Sequence, residues 1–140
     1  MVLELAQNVV AEQNRNNLAE QLHQATNGVW DTVTVYLGYE LGLYEALSMI
    51  EPATSTELAA RTGTNERYIR EWLEYQTVSR ILAVENPEAD ALERRYTIPA
   101  GHDEVLVNPD SLFYSTPMAK LTMASVAPLP ALLGAFRTGD

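Results

Sequence analysis

The chain has 140 residues, the length of one domain, and 46% of them are hydrophobic. Nine basic residues against 19 acidic ones give a net charge of −10, which disfavours a general nucleic-acid binder because such proteins depend on clustered Lys and Arg. The lack of cysteine excludes disulfides, thiolate nucleophiles and cysteine-based zinc sites. No apolar run reaches the ~20 residues that cross a bilayer, and the acidic opening lacks the basic start of a secretory signal. We therefore expect a cytoplasmic protein without a membrane partner.

Residues 1–28 are predicted to form an N-terminal helical arm. Leu18 and Leu22 lie four residues apart, on one face of a helix, among many Asn and Gln side chains. We expect an interruption of this helix around residues 14–17. We expect the helix to end at Asn27 and Gly28, because both residue types tolerate the left-handed conformation that terminates helices.

The strongest helical periodicity follows the arm and predicts a helix over residues 30–48. Gly38 and Gly42 lie four residues apart in it, and each costs about 1 kcal/mol of helix propensity relative to Ala. That cost is tolerable where another backbone packs closely against the helix. The apolar stripe of the helix comprises Val29, Trp30, Val33, Leu37, Leu41, Tyr44 and Leu47.

Two shorter helices and two strands follow. Thr54 and Glu57 have the spacing of a capping box and predict a helix over 55–62, which Gly63 ends. Thr64 or Asn65 then caps a helix over 65–79, so that the pair forms a helix-turn-helix. Strands are predicted over 81–85 and 94–98, with a loop at 86–92 between them. The fold class is therefore mostly α: a winged helix-turn-helix over 29–98 with a two-stranded β wing and flanking N- and C-terminal helices.

Residues 99–140 are predicted to form a C-terminal helical segment. Prolines at 117, 128 and 130 divide it into two or three short helices, because Pro costs ~3 kcal/mol inside a helix beyond its first turn. Its aromatic and methionine side chains could line an apolar substrate pocket, or they could fill a core or a dimer surface. These candidates are Phe113, Tyr114, Met118 and Met123.

Three segments, 41–47, 55–63 and 67–74, resemble the N-terminal winged-helix domain of class I S-adenosylmethionine (SAM)-dependent methyltransferases, including small-molecule O-methyltransferases. The resemblance spans about residues 29–98, and its most specific part is Arg-Tyr-Ile-Arg-Glu-Trp-Leu at 67–73. It implies a domain that mediates dimerisation and covers the pocket of a small-molecule substrate. In that family, methyl transfer takes place in a Rossmann-like domain that follows, and residues 135–139 are similar to the linker before that domain.

The Gly-rich loop with which this family binds SAM has no counterpart here. The seven glycines, at 28, 38, 42, 63, 101, 134 and 139, are never two residues apart, and only Gly permits the close backbone approach that the cofactor needs. We therefore expect no catalytic and no cofactor-binding residue in this chain, and SAM only in a full-length parent. The chain is then a fragment of a longer enzyme or a free-standing relic of its accessory domain, and its end at Asp140 favours a fragment.

Two other functions remain open. A winged-helix transcriptional regulator would read DNA with its second helix, but residues 65–79 hold two basic and three acidic side chains, and acids around the wing offset Arg94 and Arg95. DNA is therefore a disfavoured partner, and Arg67 and Arg70 are expected to pair with acids on their own helix rather than with an anionic partner. The other possibility is an accessory subunit of a split methyltransferase.

The histidines and hydroxyls carry no clear catalytic signal. His23 and His102 lack the spacing of metal ligands, so no metal site is expected. His102 could act as a general base beside two acids, but a solvated loop histidine is the favoured interpretation. Ser111, Ser115 and Thr116 lie in no nucleophile pattern.

The apolar stripe predicts self-association. A winged helix of about 70 residues cannot cover both this stripe and the apolar segment Leu112–Phe136, and large uncovered patches mark interaction sites. We expect a two-fold homodimer in which the N- and C-terminal helices of two chains interlock. The alternative is that both segments fold back on their own domain. The predicted interface residues are Leu18, Leu22, Val29, Trp30, Val33 and Leu37.

Overall fold

The computed structural model describes the backbone of residues 2–139 and the side chains of residues 7–139. Met1 and Asp140, the outer ends of the predicted arm and C-terminal segment, lie outside the described residues. The elements in chain order are α1 Val2–Glu40, α2 Leu43–Ser48, α3 Ser55–Thr62, α4 Glu66–Val78, β1 Ala83–Val84, β2 Tyr96–Thr97, α5 Asp103–Leu106, α6 Thr116–Val126 and α7 Leu129–Thr138. The fold is mostly α with one antiparallel β hairpin, which confirms the predicted fold class.

The chain forms two compact units, Met1–Asp31 and Thr32–Asp140. In the first unit, every side chain from residue 7 to residue 30 is exposed. The second unit holds the hydrophobic core, which α2, α3, α4, the hairpin and α5 build together. Its buried members are Leu43, Tyr44, Leu47, Ala53, Leu58, Ala59, Ile69, Trp72, Leu73, Leu82, Tyr96, Ile98 and Leu106.

The two predicted interruptions of α1 are wrong. The helix continues through residues 14–17 and through Gly28 as far as Glu40. Side-chain hydrogen bonds along the helix support the polar stretch, with Gln13 Nε2 donating to Asn17 Oδ1 at 2.8 Å. A single Gly costs only about 1 kcal/mol and does not end a helix that continues on both sides. The predicted domain boundaries themselves stay predictions.

The predicted single helix over 30–48 is also wrong, because the chain breaks between α1 and α2. Gly42 lies there with a left-handed φ of 62°, at the N-cap of α2. Gly38 has a different role within α1. A Cβ atom at Gly38 would lie 2.5 Å from Tyr44 Cε2 and 2.7 Å from Trp72 Cζ2. The close approach at Gly38 is therefore made by two aromatic rings and not by a backbone.

The helix-turn-helix is confirmed together with its caps. Thr54 and Glu57 form the capping box: the Thr54 side chain accepts from the Glu57 N–H at 3.2 Å, and the Glu57 carboxylate accepts from the Thr54 N–H at 2.8 Å. Gly63 ends α3 with a φ of 66°. Asn65 caps α4 by accepting from the Arg67 N–H at 3.1 Å.

The wing is present with shorter strands than predicted. In the hairpin, Ala83 pairs with Thr97 and Val84 pairs with Tyr96. Ala53 forms an additional, isolated antiparallel bridge to Tyr96. The strand predicted to start at residue 81 begins later because the amides of residues 81 and 82 both bond to the Gln76 carbonyl, at 2.9 and 3.1 Å. These two residues thus close the C-terminus of α4.

The C-terminal segment contains α5, α6 and α7, and its proline-containing part forms the two short helices α6 and α7, as the prolines predict. Pro117 and Pro130 lie in the first turns of these helices, where the missing N–H costs no intrahelical bond. Across residues 2–139 no single helix is long and apolar enough to cross a membrane. The α6–α7 pair, bent by 45°, meets that requirement in length and composition only when its helices are taken together.

Candidate functional site

The arginines of α4 and of the wing lie beside carboxylates. On α4, Arg67 pairs with Glu71 and Arg70 pairs with Glu66, each at 3.6 Å. At the wing, two pairs are shorter: Arg94 with Glu74 at 3.1 Å and Arg95 with Glu57 at 3.3 Å. The predicted pairing of arginines with acids on the α4 surface is confirmed. A phosphate backbone would have to displace these carboxylates, so this surface is poorly suited to DNA.

A buried polar network fastens the end of α1 to α4. Tyr44 Oη donates to Gln76 Oε1 at 2.6 Å, and Gln76 Nε2 donates to Thr34 Oγ1 at 2.9 Å. Trp72 Nε1 donates to the Thr34 carbonyl at 2.9 Å. Burial, aided by the charge of Glu45, raises the pKa of Tyr44 well above its ordinary value, so the phenol stays a neutral donor. This network holds the end of α1 in place, and that end contributes Val35 to the wall of the cavity described next.

A cavity of about 310 Å³ opens between the end of α1, the α4–β1 turn, α5 and the start of α6. Its size lies at the lower end of the ~300–1,000 Å³ range of small-molecule pockets. The apolar lining consists of Val35, Ile81, Val105 and Leu106. The polar lining consists of Arg80, His102, Ser115 and Thr116.

The polar groups of this cavity have distinct environments. Arg80 has a left-handed φ of 60° at the C-terminal end of α4. His102 Nδ1 lies 2.9 Å from the Ile81 carbonyl, which can only accept, so Nδ1 carries the proton and Nε2 is free to accept in the neutral ring. Thr116 Oγ1 is buried without a hydrogen-bond partner among the described residues. Ser115 Oγ donates to the Phe113 carbonyl at 2.6 Å.

His102 differs from its expected state. The sequence favours a solvated loop histidine, and this is wrong, because the ring is half-buried and bonded to the Ile81 carbonyl. His23 is exposed on α1, as expected. Among the side chains of residues 7–139 no group of three or more His, Asp or Glu is placed to hold a metal ion.

The predicted pocket residues do not line this cavity. Phe113 and Met118 are 66% and 64% exposed, and Tyr114 and Met123 are half-buried. The cavity is lined instead by Thr116 and Ser115, which lie between them in sequence. The assignment of these four side chains to a substrate pocket stays a prediction.

The predicted interface residues lie on α1 and are accessible. Leu22, Trp30 and Leu37 are 60%, 57% and 42% exposed, with Leu18 and Val29 both at 56%. Val33 is half-buried. Their role in an interface stays a prediction.

Arg80 is not among the residues singled out from the sequence, and Thr116 is considered there only as a nucleophile, with no role assigned. Nothing local marks Arg80, because its φ is of a kind usually taken by Gly and the sequence has none at this helix end. For Thr116 a weak signal exists: a Thr directly before Pro117 marks a helix start. That signal predicts where a helix starts along the chain, but it does not predict that Thr116 lines a cavity.

A family model described as the Rv2258c-like winged HTH domain matches residues 31–108, more than half of the chain. The chain belongs to this family. Among solved structures, human N-acetylserotonin methyltransferase in complex with SAM is similar, with 20% identity and a TM-score of 0.69 over 86% of this chain and 34% of that one. The mitomycin 7-O-methyltransferase MmcR is also similar, with 24% identity and a TM-score of 0.60 over 90% of this chain and 35% of that one.

At these identities the likeness to solved structures shows the fold. The chain spans about a third of the length of these methyltransferases. No curated protein sequence matches the chain. The predicted resemblance to the winged-helix domain of SAM-dependent methyltransferases is confirmed.

Proposed function

We propose that this chain is the dimerisation and substrate-covering domain of a small-molecule SAM-dependent methyltransferase that works in the cytoplasm. Two methyltransferases share its winged-helix fold, and one of their structures contains SAM. SAM and the methyl acceptor then bind to a catalytic part outside these 140 residues. This chain supplies the contact between two copies and one wall over the acceptor.

The observation that carries this proposal is the uncovered helix α1. All side chains from residue 7 to residue 30 are exposed, apolar ones included. A helical stretch whose side chains are all exposed is marginal in water, because most helical stability comes from burial of an apolar face. A second copy of the chain would bury the exposed Leu22 and Trp30 side chains. Such a two-fold pair is the commonest form of homo-oligomer.

The last helix supports the same conclusion. No residue of α7 is buried, and its apolar side chains are 47–84% exposed: Leu129, Leu132, Leu133 and Phe136. Apolar area of this extent marks a contact surface. A dimer in which terminal helices of two chains interlock buries α1 and α7 together.

A matched pair of substitutions tests the proposal. Val29 is 56% exposed on α1, and Val78 is 82% exposed at the end of α4, outside the apolar stripe. We expect Val29→Asp to shift the dimer towards monomer, because a carboxylate cannot be buried unpaired at an apolar interface. Val78→Asp should leave the dimer intact.

The mass of each variant is measured by light scattering after size-exclusion chromatography. Equal masses for the two variants would contradict the assignment of the interface to α1. Circular dichroism at 222 nm serves as the folding control, since both variants should keep the helical content of the winged helix.

A further inference from the structure

The cavity beside α5 has an apolar body and a cationic edge. Val35, Ile81 and Leu106 supply its apolar walls, while Arg80 and His102 supply polar groups. No Asp or Glu is among its described lining residues, although the chain contains 19 acidic residues. Each of the other two described cavities with an arginine in the lining also has a glutamate there. The cavity therefore presents a positive charge that the protein itself does not neutralise.

Arg80 is the source of that charge. The Arg80 side chain is exposed, and none of the ion pairs among the described residues includes it. Arg61 and Arg137 also have no carboxylate partner among the described residues, but neither of them lines this cavity. A planar guanidinium binds a carboxylate through two parallel hydrogen bonds. The unpaired arginine at an apolar cavity thus fits a ligand that brings its own anionic group.

The backbone at Arg80 belongs to the cap that closes α4, since the amides of the next two residues bond to the Gln76 carbonyl. Its φ of 60° lies in the left-handed region, and the other described residues with positive φ are all glycines. An arginine at such a position is strained where glycine would be relaxed. This strain is the ordinary cost of ending the helix without glycine, and Arg80→Gly would relieve it.

Thr116 provides a second observation at the same cavity. The residue is 1% exposed, it lines the cavity, and its Oγ1 has no hydrogen-bond partner among the described residues. A buried hydroxyl is ordinarily paired, because leaving it unpaired forfeits its hydration. A ligand atom in the cavity would supply the missing partner.

We propose that this cavity binds a small organic anion, a molecule with one aromatic or branched apolar body and one carboxylate. The carboxylate pairs with Arg80, the apolar body lies against Ile81 and Leu106, and a polar substituent reaches Thr116 Oγ1 or His102 Nε2. This site lies within residues 35–116 and requires neither a dimer nor a catalytic domain. If this cavity binds no anion, the proposed dimerisation function is therefore unaffected. If the chain forms no dimer, the cavity can still bind an anion.

Benzoate is the probe, and benzamide, its uncharged counterpart of the same shape, is the control ligand. Titration of the full ¹⁵N-labelled chain should shift the backbone amide signals of Ile81, Leu106 and Thr116 with benzoate. Benzamide should bind about tenfold more weakly, because it cannot form the charge-assisted pair with arginine. Equal shifts with both ligands, or no shifts at these amides, would overturn the proposal.

Three variants sharpen the test. Arg80→Gly removes the charge while suiting the backbone conformation, so it should fold with unchanged or raised Tm and lose about tenfold in benzoate affinity. Arg80→Lys should retain most of the affinity, because it keeps the charge. Thr116→Val should keep or raise Tm, since it removes an unpaired hydroxyl, and weaken binding of 3-hydroxybenzoate by about threefold. Undiminished benzoate affinity in Arg80→Gly would refute the assignment of the anion to Arg80.

Discussion

The contact between Gly38 and two aromatic rings predicts that Gly38→Ala destabilises the winged helix, although Ala is the better helix former. An added Cβ would lie 2.5 Å from Tyr44 Cε2 and 2.7 Å from Trp72 Cζ2, more than 0.5 Å below ordinary van der Waals contact. The two rings cannot easily move away from an added Cβ atom. Tyr44 is fully buried and bonded to Gln76 at 2.6 Å, and the Trp72 indole is bonded to the Thr34 carbonyl at 2.9 Å.

The change in the free energy of unfolding caused by Gly38→Ala is the sum of two opposing contributions. Ala gains about 1 kcal/mol over Gly in a helix interior. Overpacking of a tight core costs about 1–3 kcal/mol, and moving either ring also strains a buried hydrogen bond that contributes about 1 kcal/mol. The free energy of unfolding should therefore fall by about 2 kcal/mol, which lowers Tm by about 5–8 °C for a domain of this size.

The control lies in the same helix. A Cβ atom at Gly28 meets no heavy atom within 4 Å, so Gly28→Ala should be neutral or stabilising by up to about 1 kcal/mol. Urea unfolding of the two variants and the parent is followed by circular dichroism at equal protein concentrations, because association makes stability depend on concentration. A Gly38→Ala variant that is as stable as the parent would refute the packing argument.

Four further outcomes are expected. Thr54→Ala removes the capping box of α3 and should lower the free energy of unfolding by about 1 kcal/mol in a urea melt. The hydrogen bond from the Thr54 N–H, together with the charge of Arg95, lowers the pKa of Glu57 from its ordinary 4.5. The ionised Glu57 therefore stabilises the folded protein fully above pH 4.5, and this stabilisation is lost as the pH falls through the pKa of the folded state. Glu57→Gln should flatten the decline in stability as the pH falls below about 4.5, and an unchanged slope would show that Glu57 does not cause that decline. Calorimetry should detect no SAM binding to this chain, since it lacks the Gly-rich loop. Duplex DNA should migrate without retardation at moderate salt, because the arginines of α4 and the wing are paired; a shifted band would favour the regulator.

The helix-turn-helix could be predicted from sequence because its signals are local. Thr54 and Glu57 are three residues apart, and Gly63 and Asn65 supply the next stop and start. The helix ends near Gly28 and Gly42 could not be predicted in the same way. Both are isolated glycines, yet one continues a helix and the other ends it. Packing of distant side chains decides such cases, and local propensity does not.

The cavity lay beyond sequence reasoning for a related reason. Arg80, His102 and Thr116 come from three separate parts of the chain and have no motif spacing. They meet because the turn after α4, the start of α5 and the start of α6 converge. The wing strand was predicted too early for the same kind of reason, since the Ile81 and Leu82 amides serve the end of α4.

We propose that this winged-helix domain joins two copies of the chain, and sedimentation equilibrium of the wild-type protein measures whether it does. The exposed apolar side chains of α1 and α7 predict a mass of twice 15.5 kDa at micromolar concentration, since obligate interfaces of this kind bury more than about 2,000 Å². A mass of 15.5 kDa that persists as the concentration is raised would contradict the claim.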